Sequence, residues 1–243
     1  MTLHETIYKR KSCRSFTNVP VDGAMIETIK AFAMKPLYPK IKVHWDIVPR
    51  NQVKCICPWT TPQLITIYSE ETDGWLENIG FLFQQMDLYL QSLGLGVCWL
   101  GMGRMNPKAT TQVEGMKFVI MLAFGHPRGE QLRQTTKEFK RKALEQIADH
   151  ADPRLEPARL APSAVNSQPW YFTHEGNNIH AYCIKNGRVG YMNRIDMGIA
   201  LAHLYVANQE TFHFFKAENA PLVPGYDYIG SITYEEKWKR ASI

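Results

Sequence analysis

Cysteine is scarce in this chain of 243 residues, and the five present make an odd number. Such a count does not describe a disulfide framework. Cys55 and Cys57 form a C-x-C pair, but no second pair of Cys or His at ligand spacing completes a zinc site. The expectation is two residues on one strand and no metal. Long hydrophobic runs are also missing: no uncharged apolar stretch reaches the ~18 residues of a membrane span. The first residues are polar and basic with no apolar stretch behind them, so no signal peptide is read and a cytoplasmic location is expected. Neither sign of charge dominates, since 28 Lys+Arg against 23 Asp+Glu leave +5. The two basic runs, residues 9–14 and 137–142, are short and lack regular aromatic interleaving, so no nucleic-acid partner is expected. No low-complexity segment occurs, and no Gly-x-Gly-x-x-Gly follows a strand, so a nicotinamide fingerprint is absent.

What is present reads as a globular protein. Hydrophobic residues make up 45% and charged residues 21%, enough for one large domain or two small ones sharing a core. An internal echo suggests the second arrangement. Lys35-Pro36-Leu37-Tyr38-Pro39 precedes a strand-like segment at Trp45, and Asp73 opens a long apolar helix. Ala161-Pro162-Ser163 likewise precedes a strand at Trp170, and Asp196 opens a second apolar helix. These landmarks lie 126, 125 and 123 residues apart. The expected division is residues 1–150 and 151–243, with a junction at 149–157.

Asp73 and Asp196 are suitable N-cap residues. From Asp73, Ile79, Leu82, Phe83, Met86, Leu90 and Leu93 recur at three- and four-residue steps, and Gly94 is placed to end that helix. Gly198, Ala200 and Ala202 make the second helix narrow, open to close approach by another. Strands are expected at 97–100, 117–124, 170–173 and 226–234, and helices at 3–8 and 136–148, with a polar tail over 235–243.

Two motifs carry the chemistry. In Arg10-Lys11-Ser12-Cys13-Arg14-Ser15-Phe16, guanidinium and hydroxyl groups can grip a phosphate, although a solvated basic turn has the same composition. In Ala161-Pro162-Ser163-Ala164-Val165-Asn166-Ser167-Gln168-Pro169-Trp170, two prolines stiffen a loop whose Ser163, Asn166 and Gln168 offer donors and acceptors at close spacing. The plain alternative is a loop that satisfies its own backbone. Together they suit a ligand with an anionic tail and a polar planar head, such as a flavin nucleotide. Trp170 reads as core, and His126, His203 and Cys98 as packing or local hydrogen bonding.

These residues resemble the FMN-dependent nitroreductase family. Residues 10–16 are similar to its Arg-Arg-Ser-x-Arg-x-Phe motif, and Leu93-Gly94-Leu95-Gly96-Val97-Cys98-Trp99-Leu100-Gly101 to its Gly-Leu-Gly-x-x-x-Trp-Ile/Leu-Gly segment. Phe124-Gly125-His126-Pro127 and Arg141-Lys142-Ala143-Leu144-Glu145 resemble its Gly-Tyr-Pro and Arg-Lys-x-Leu-Glu stretches. Residues 161–170 resemble its Ala-Pro-Ser-x-x-Asn-x-Gln-Pro-Trp motif. In the family that last motif follows soon after the first, whereas here 35–39 holds its place without the Ser and Asn. The resemblance therefore implies a single-chain pseudo-dimer of the putative TM nitroreductase group, an α+β fold of two sheet-and-helix halves about a pseudo-twofold.

One FMN is implied, with Arg10, Lys11, Ser12, Arg14, Arg141 and Lys142 on the phosphate and ribityl chain. Backbone around Leu100, Gly101 and Gly103 would face the ring, as would Pro162, Ser163, Ala164, Asn166 and Gln168 from the other half. The implied activity is hydride transfer from NADH or NADPH through FMN to an electron-poor acceptor such as a nitroaromatic or quinone. No side chain is required as a covalent catalyst. The alternative is a flavin-binding or flavin-storage protein without turnover. A monomer acting as a pseudo-dimer is expected, with further association left open.

Overall fold

The structure is a computed structural model and describes residues 1–108, 113–186 and 189–234. The alternating and β-branched segments of the first half pair as an antiparallel sheet. Its strands are β1 (Val43–Pro49), β3 (Gln63–Ser69), β4 (Gly96–Leu100) and β6 (Lys117–Gly125), in the order β1-β3-β6-β4. Two short strands, β2 (Val53–Lys54) and β5 (Arg104–Met105), form a separate ribbon. The second half builds β7 (Trp170–Glu175), β8 (Asn178–Ile184), β9 (Phe212–Phe215) and β10 (Tyr226–Tyr234) into a second antiparallel sheet, ordered β7-β8-β10-β9. Strand for strand, the two orders correspond.

The helices are α1 (Leu3–Ile7), α2 (Gly23–Lys30), α3 (Trp75–Ser92), α4 (Glu156–Arg159) and α5 (Met192–Ala207). Helix α3 packs on the first sheet, α5 on the second, and each packs on the other. Their crossing depends on two glycines. A Cβ on Gly80 would lie 2.0 Å from the Ile195 carbonyl oxygen, and one on Gly198 would lie 2.0 Å from that of Glu77. The contact is reciprocal, as a pseudo-twofold requires, and confirms the narrow second helix. One continuous core runs through both halves, joining Ile79, Phe83 and Met86 to Leu201, Leu204, Trp170 and Phe172. Helix α3 stops where Gly94 takes a φ of 83°, a left-handed conformation that glycine adopts without strain.

Several expectations need correction. Asp73 is not an N-cap, because Gly74, at a φ of 80°, holds that position before α3. Asp196 is not one either: α5 already begins at Met192, which places Asp196 inside it. The echo misaligns these residues because the first half has residues 50–62 between its first two strands, where the second has a two-residue turn closed by the Glu175–Asn178 pair. In space the counterpart of Asp196 is Asn78. The Tyr38 N–H donates to Asn78 Oδ1 at 2.9 Å, as the Ala164 N–H does to Asp196 at 3.0 Å.

Residues 136–148 do not form one helix. They contain two 3-10 turns, Thr136–Glu138 and Leu144–Gln146. Glu138 accepts the N–H groups of Gln134 and Thr135 and closes the first turn on itself. Beyond the second turn the backbone is taken by the sheet, with Phe172 N–H donating to Ile147 O at 2.8 Å and Asp149 N–H to Phe172 O at 3.0 Å. Cys55 and Cys57 lie in irregular chain after β2 rather than on a strand. Within 149–157, Asp152, Leu155 and Pro157 are buried. The expected tail over 235–243 lies outside the described residues.

Candidate functional site

A cavity of about 480 Å³ joins the two motifs that the sequence keeps far apart. Ser12 and Arg14 line it from the N-terminal segment, Leu100 and Gly101 from the end of β4, and Pro162, Ser163 and Ala164 from the second-half loop. The meeting has a local cause. Ser12 bridges Val97 in parallel, and the Cys13 N–H donates to Val97 O at 2.8 Å. The basic segment is thus laid along β4, whose far end opens into the cavity. Arg14 is exposed, and among the described residues no hydrogen-bond or ion-pair partner claims its guanidinium.

The second-half loop is held in an unusual backbone. Val165, Asn166 and Gln168 take φ values of 48°, 57° and 49°, the left-handed region, at about 1–3 kcal/mol each for residues other than glycine. Several bonds hold it there. Ser163 Oγ accepts the Gln168 N–H at 2.9 Å, and Arg141 donates to Asn166 Oδ1 at 2.6 Å and to Ala161 O at 2.9 Å. Lys142 donates through its backbone to Gln168 Oε1 at 2.7 Å and through Nζ to Gln168 O at 3.1 Å. So Arg141, Lys142, Asn166 and Gln168 do not line the cavity; they fix the loop that does.

Three further expected residues are also not among those lining the cavity. Arg10 is buried at 1% exposure and paired with Asp87, its Nε 3.0 Å from Oδ1. Lys11 offers its backbone N–H to Gln91 Oε1 at 3.0 Å. Gly103 turns back toward Leu100 O, and its Cα sits against the Met121 side chain. Burial and then the neighbouring Arg10, Arg133 and Arg159 pull Arg141 down to about 10. Positive charge is therefore crowded beside the loop, where an anion would be stabilised.

Sequence reasoning missed much of the lining. Trp59, Trp99, Met102, Ile120, Val165, Met192, Ile195 and Ile199 supply its apolar surface, and Cys57 and Cys98 complete part of the wall. Asp196 also faces it, 3% exposed, and burial raises its carboxyl to about 8. Its position inside an apolar helix was a readable signal, because such a carboxylate needs a partner. Trp99 Nε1 donates to Gln84 Oε1 at 3.1 Å, and Gln84 Nε2 reaches both Asp87 Oδ1 and His203 Nε2. His203 Nδ1 meets Pro157 O at 2.9 Å, and burial lowers its pKa to about 3, so the ring stays neutral. A buried polar chain thus ties the cavity wall to Arg10.

The pseudo-equivalent place beside α3 is filled. The Tyr38 ring lies against Gly74, packs edge-on to Phe214 at 5.7 Å and sits beneath the Lys216 ammonium. Phe214 in turn covers Gly230.

This is the fold of nitroreductases. The chain is similar over 96% of its length to the crystal structure of a putative nitroreductase from Thermotoga maritima MSB8, covering 93% of that chain at TM-score 0.67 and 21% identity. A nitroreductase family protein from Clostridium difficile 630 matches 60% of this chain and 96% of its own at 15% identity and TM-score 0.47. An FMN-dependent nitroreductase from Clostridium difficile R20291 matches 58% and 98% at 20% identity and TM-score 0.44. No curated protein matches the chain. Residues 2–208 match the family described as "Putative TM nitroreductase". The chain belongs to that family and is an oxidoreductase of the nitroreductase kind.

Proposed function

We propose that this chain is an FMN-dependent oxidoreductase that draws hydride from NADH or NADPH and delivers it to an electron-poor acceptor such as a nitroaromatic or quinone. The observation that carries this reading is the meeting of Ser12 and Arg14 with Pro162, Ser163 and Ala164 around one cavity. Its volume falls within the range of small-molecule and cofactor sites. Its walls are apolar and aromatic with a few polar groups, as a heteroaromatic ring and an anionic tail require.

The residues fit FMN by their charge state. Arg14 is free to pair with a phosphate, and Arg141, crowded by other cations, lies beside the loop. Arg10 is neutralised by Asp87 and contributes by holding Ser12, whose Oγ accepts from its Nη2 at 3.3 Å. Bound there, FMN would supply two-electron hydride acceptance and release. The protein supplies position and exclusion of water: Trp59, Trp99, Met192 and Ile199 present apolar surface, while Leu100 and Gly101 bring backbone to the wall. Asp196, its carboxyl raised to about 8 by burial, holds the Ala164 N–H without imposing a full negative charge on the site at neutral pH.

One site per chain is supported by the Tyr38, Phe214 and Lys216 side chains that fill the pseudo-equivalent place. Oxidation of NADH and NADPH by the purified flavin-loaded protein, with nitrofurazone or menadione as acceptor, tests the activity. Turnover with either nicotinamide supports the reading. Tight FMN binding with no turnover across a broad acceptor panel would replace it with flavin storage.

A further inference from the structure

The segment leading from the first sheet into the second ends in a cluster that the redox reading does not use. Asp149 and His150 follow Ile147 and Ala148, which run beside β7, and His174 on β7 faces them across the seam. His174 Nδ1 lies 2.5 Å from Asp149 Oδ1, and His150 Nδ1 lies 3.1 Å from the same oxygen. One ligand atom from each of the three falls within 4.8 Å of the others. The carboxylate is fixed in place, since Oδ1 accepts the His150 N–H and Oδ2 the His174 N–H, each at 2.9 Å.

The remaining nitrogen of His174 settles what this cluster lacks. Nε2 lies 2.9 Å from Asp152 Oδ2, and Asp152 is already paired with the Arg154 guanidinium at 2.7 Å. A charged carboxylate only accepts hydrogen bonds, so the assigned tautomer carries its hydrogen on Nε2. Asp149 Oδ1, 2.5 Å from Nδ1, is likewise an acceptor, so what lies between them is a cation: the proton of an imidazolium ring, or a metal ion bound by the neutral one. A proton satisfies that pair and leaves His150, its Nδ1 3.1 Å from the same oxygen, as one more hydrogen-bond donor to Asp149. A divalent ion uses all three groups, and a carboxylate behind a histidine is the usual outer support of a metal-bound imidazole. The side chains of His174 and Asp152 are 8% and 7% exposed, so this support is held rigidly, while the 60% exposed His150 leaves a path for entry.

We propose that Asp149, His150 and His174 form a zinc site, with Asp152 orienting His174 and solvent completing the coordination. Two imidazoles and a carboxylate suit Zn²⁺. Bound there, the ion pins the connecting segment to the edge of the second sheet, away from the residues lining the flavin cavity. The proposal does not rest on the redox reading.

The test uses tag-free, chelator-treated full-length protein in a Cys55→Ser/Cys57→Ser background, which removes that thiol pair as a competing site. Co²⁺ is titrated by visible absorbance and displaced by Zn²⁺, and Zn²⁺ stoichiometry is read by calorimetry. One ion per chain is expected. Binding should fall at least tenfold in Asp152→Asn, on the usual scale of such outer partners, and be lost in His174→Gln. Zn²⁺ should also raise the unfolding temperature of the parent but not of the variant. His150→Ala, on an exposed ring, supplies the same comparison if His174→Gln does not fold. No saturable binding, equal affinity in the His150 or His174 variant, or an imidazolium His174 by NMR under saturating Zn²⁺ would overturn the site.

Discussion

The crossing of α3 and α5 holds the two halves together, and Gly198→Ala tests it. In an unconstrained helix interior this change stabilises by about 1 kcal/mol, because alanine is the better helix former. Here the new Cβ meets the Glu77 carbonyl oxygen at 2.0 Å. A carbonyl in the body of a helix cannot swing aside as a side-chain tip can, so the helices must part by roughly 1 Å or more to restore van der Waals distance. Overpacking of this kind costs about 1–3 kcal/mol, and parting the helices also loosens the core between the sheets. With the loosened core added and the propensity gain of ~1 kcal/mol subtracted, a net destabilisation of about 1–2 kcal/mol is expected. Urea unfolding followed by tryptophan fluorescence reads it, and Gly80→Ala should behave alike because its Cβ meets Ile195 O at the same 2.0 Å. The cavity should suffer too, since Ile195, Asp196 and Ile199 line it from α5. If Gly198→Ala is as stable as the parent, or gains ~1 kcal/mol, the close crossing is not there.

Three other outcomes follow from the site. Arg14→Ala should weaken FMN binding about tenfold to a hundredfold, the loss of one charge-assisted contact worth ~1.5–3 kcal/mol; fluorescence titration with FMN checks it. Asn166→Ala should also weaken FMN, from the other half, by freeing Arg141 and relaxing the strained loop, and unchanged affinity would remove the loop from the site. Stability should respond to pH through two buried groups. Asp196, raised to about 8 from 3.8, stabilises below pH 3.8 and loses that contribution as pH rises to 8, at ~1.4 kcal/mol per pH unit. His203, lowered to about 3 from 6.5, stabilises above pH 6.5 and loses that contribution as pH falls. The slopes oppose each other between about pH 4 and 6.5, so the decline from 6.5 to 8 belongs to Asp196. Asp196→Asn, with the amide that Asn78 already uses for Tyr38, should flatten that decline in urea midpoints; an equal decline would reassign it.

Local patterns in the chain exposed those parts whose physics is local. The three- and four-residue apolar steps marked α3, β10 fell where a final strand was expected, and the proline-flanked loop and basic segment proved to share a cavity. What the sequence concealed depends on partners far along the chain. Residues 136–148 carry helix-forming side chains, but their later backbone pairs with β7. Residues 50–62 shift the register between the halves, so Asp73 looked like the counterpart of Asp196 when the hydrogen bonds select Asn78. Arg10 looked as available for phosphate as Arg14, and only the buried Asp87 on α3 distinguishes them.

The central claim is one flavin site built from both halves of one chain, and the flavin-to-protein ratio tests it most directly. Protein saturated with FMN, freed of excess by gel filtration and read by absorbance against amino-acid analysis, should hold one FMN per chain. Two per chain would mean that the place filled by Tyr38 and Phe214 also binds, and no retained flavin would mean that the cavity joining Arg14 to Ser163 is not a flavin site.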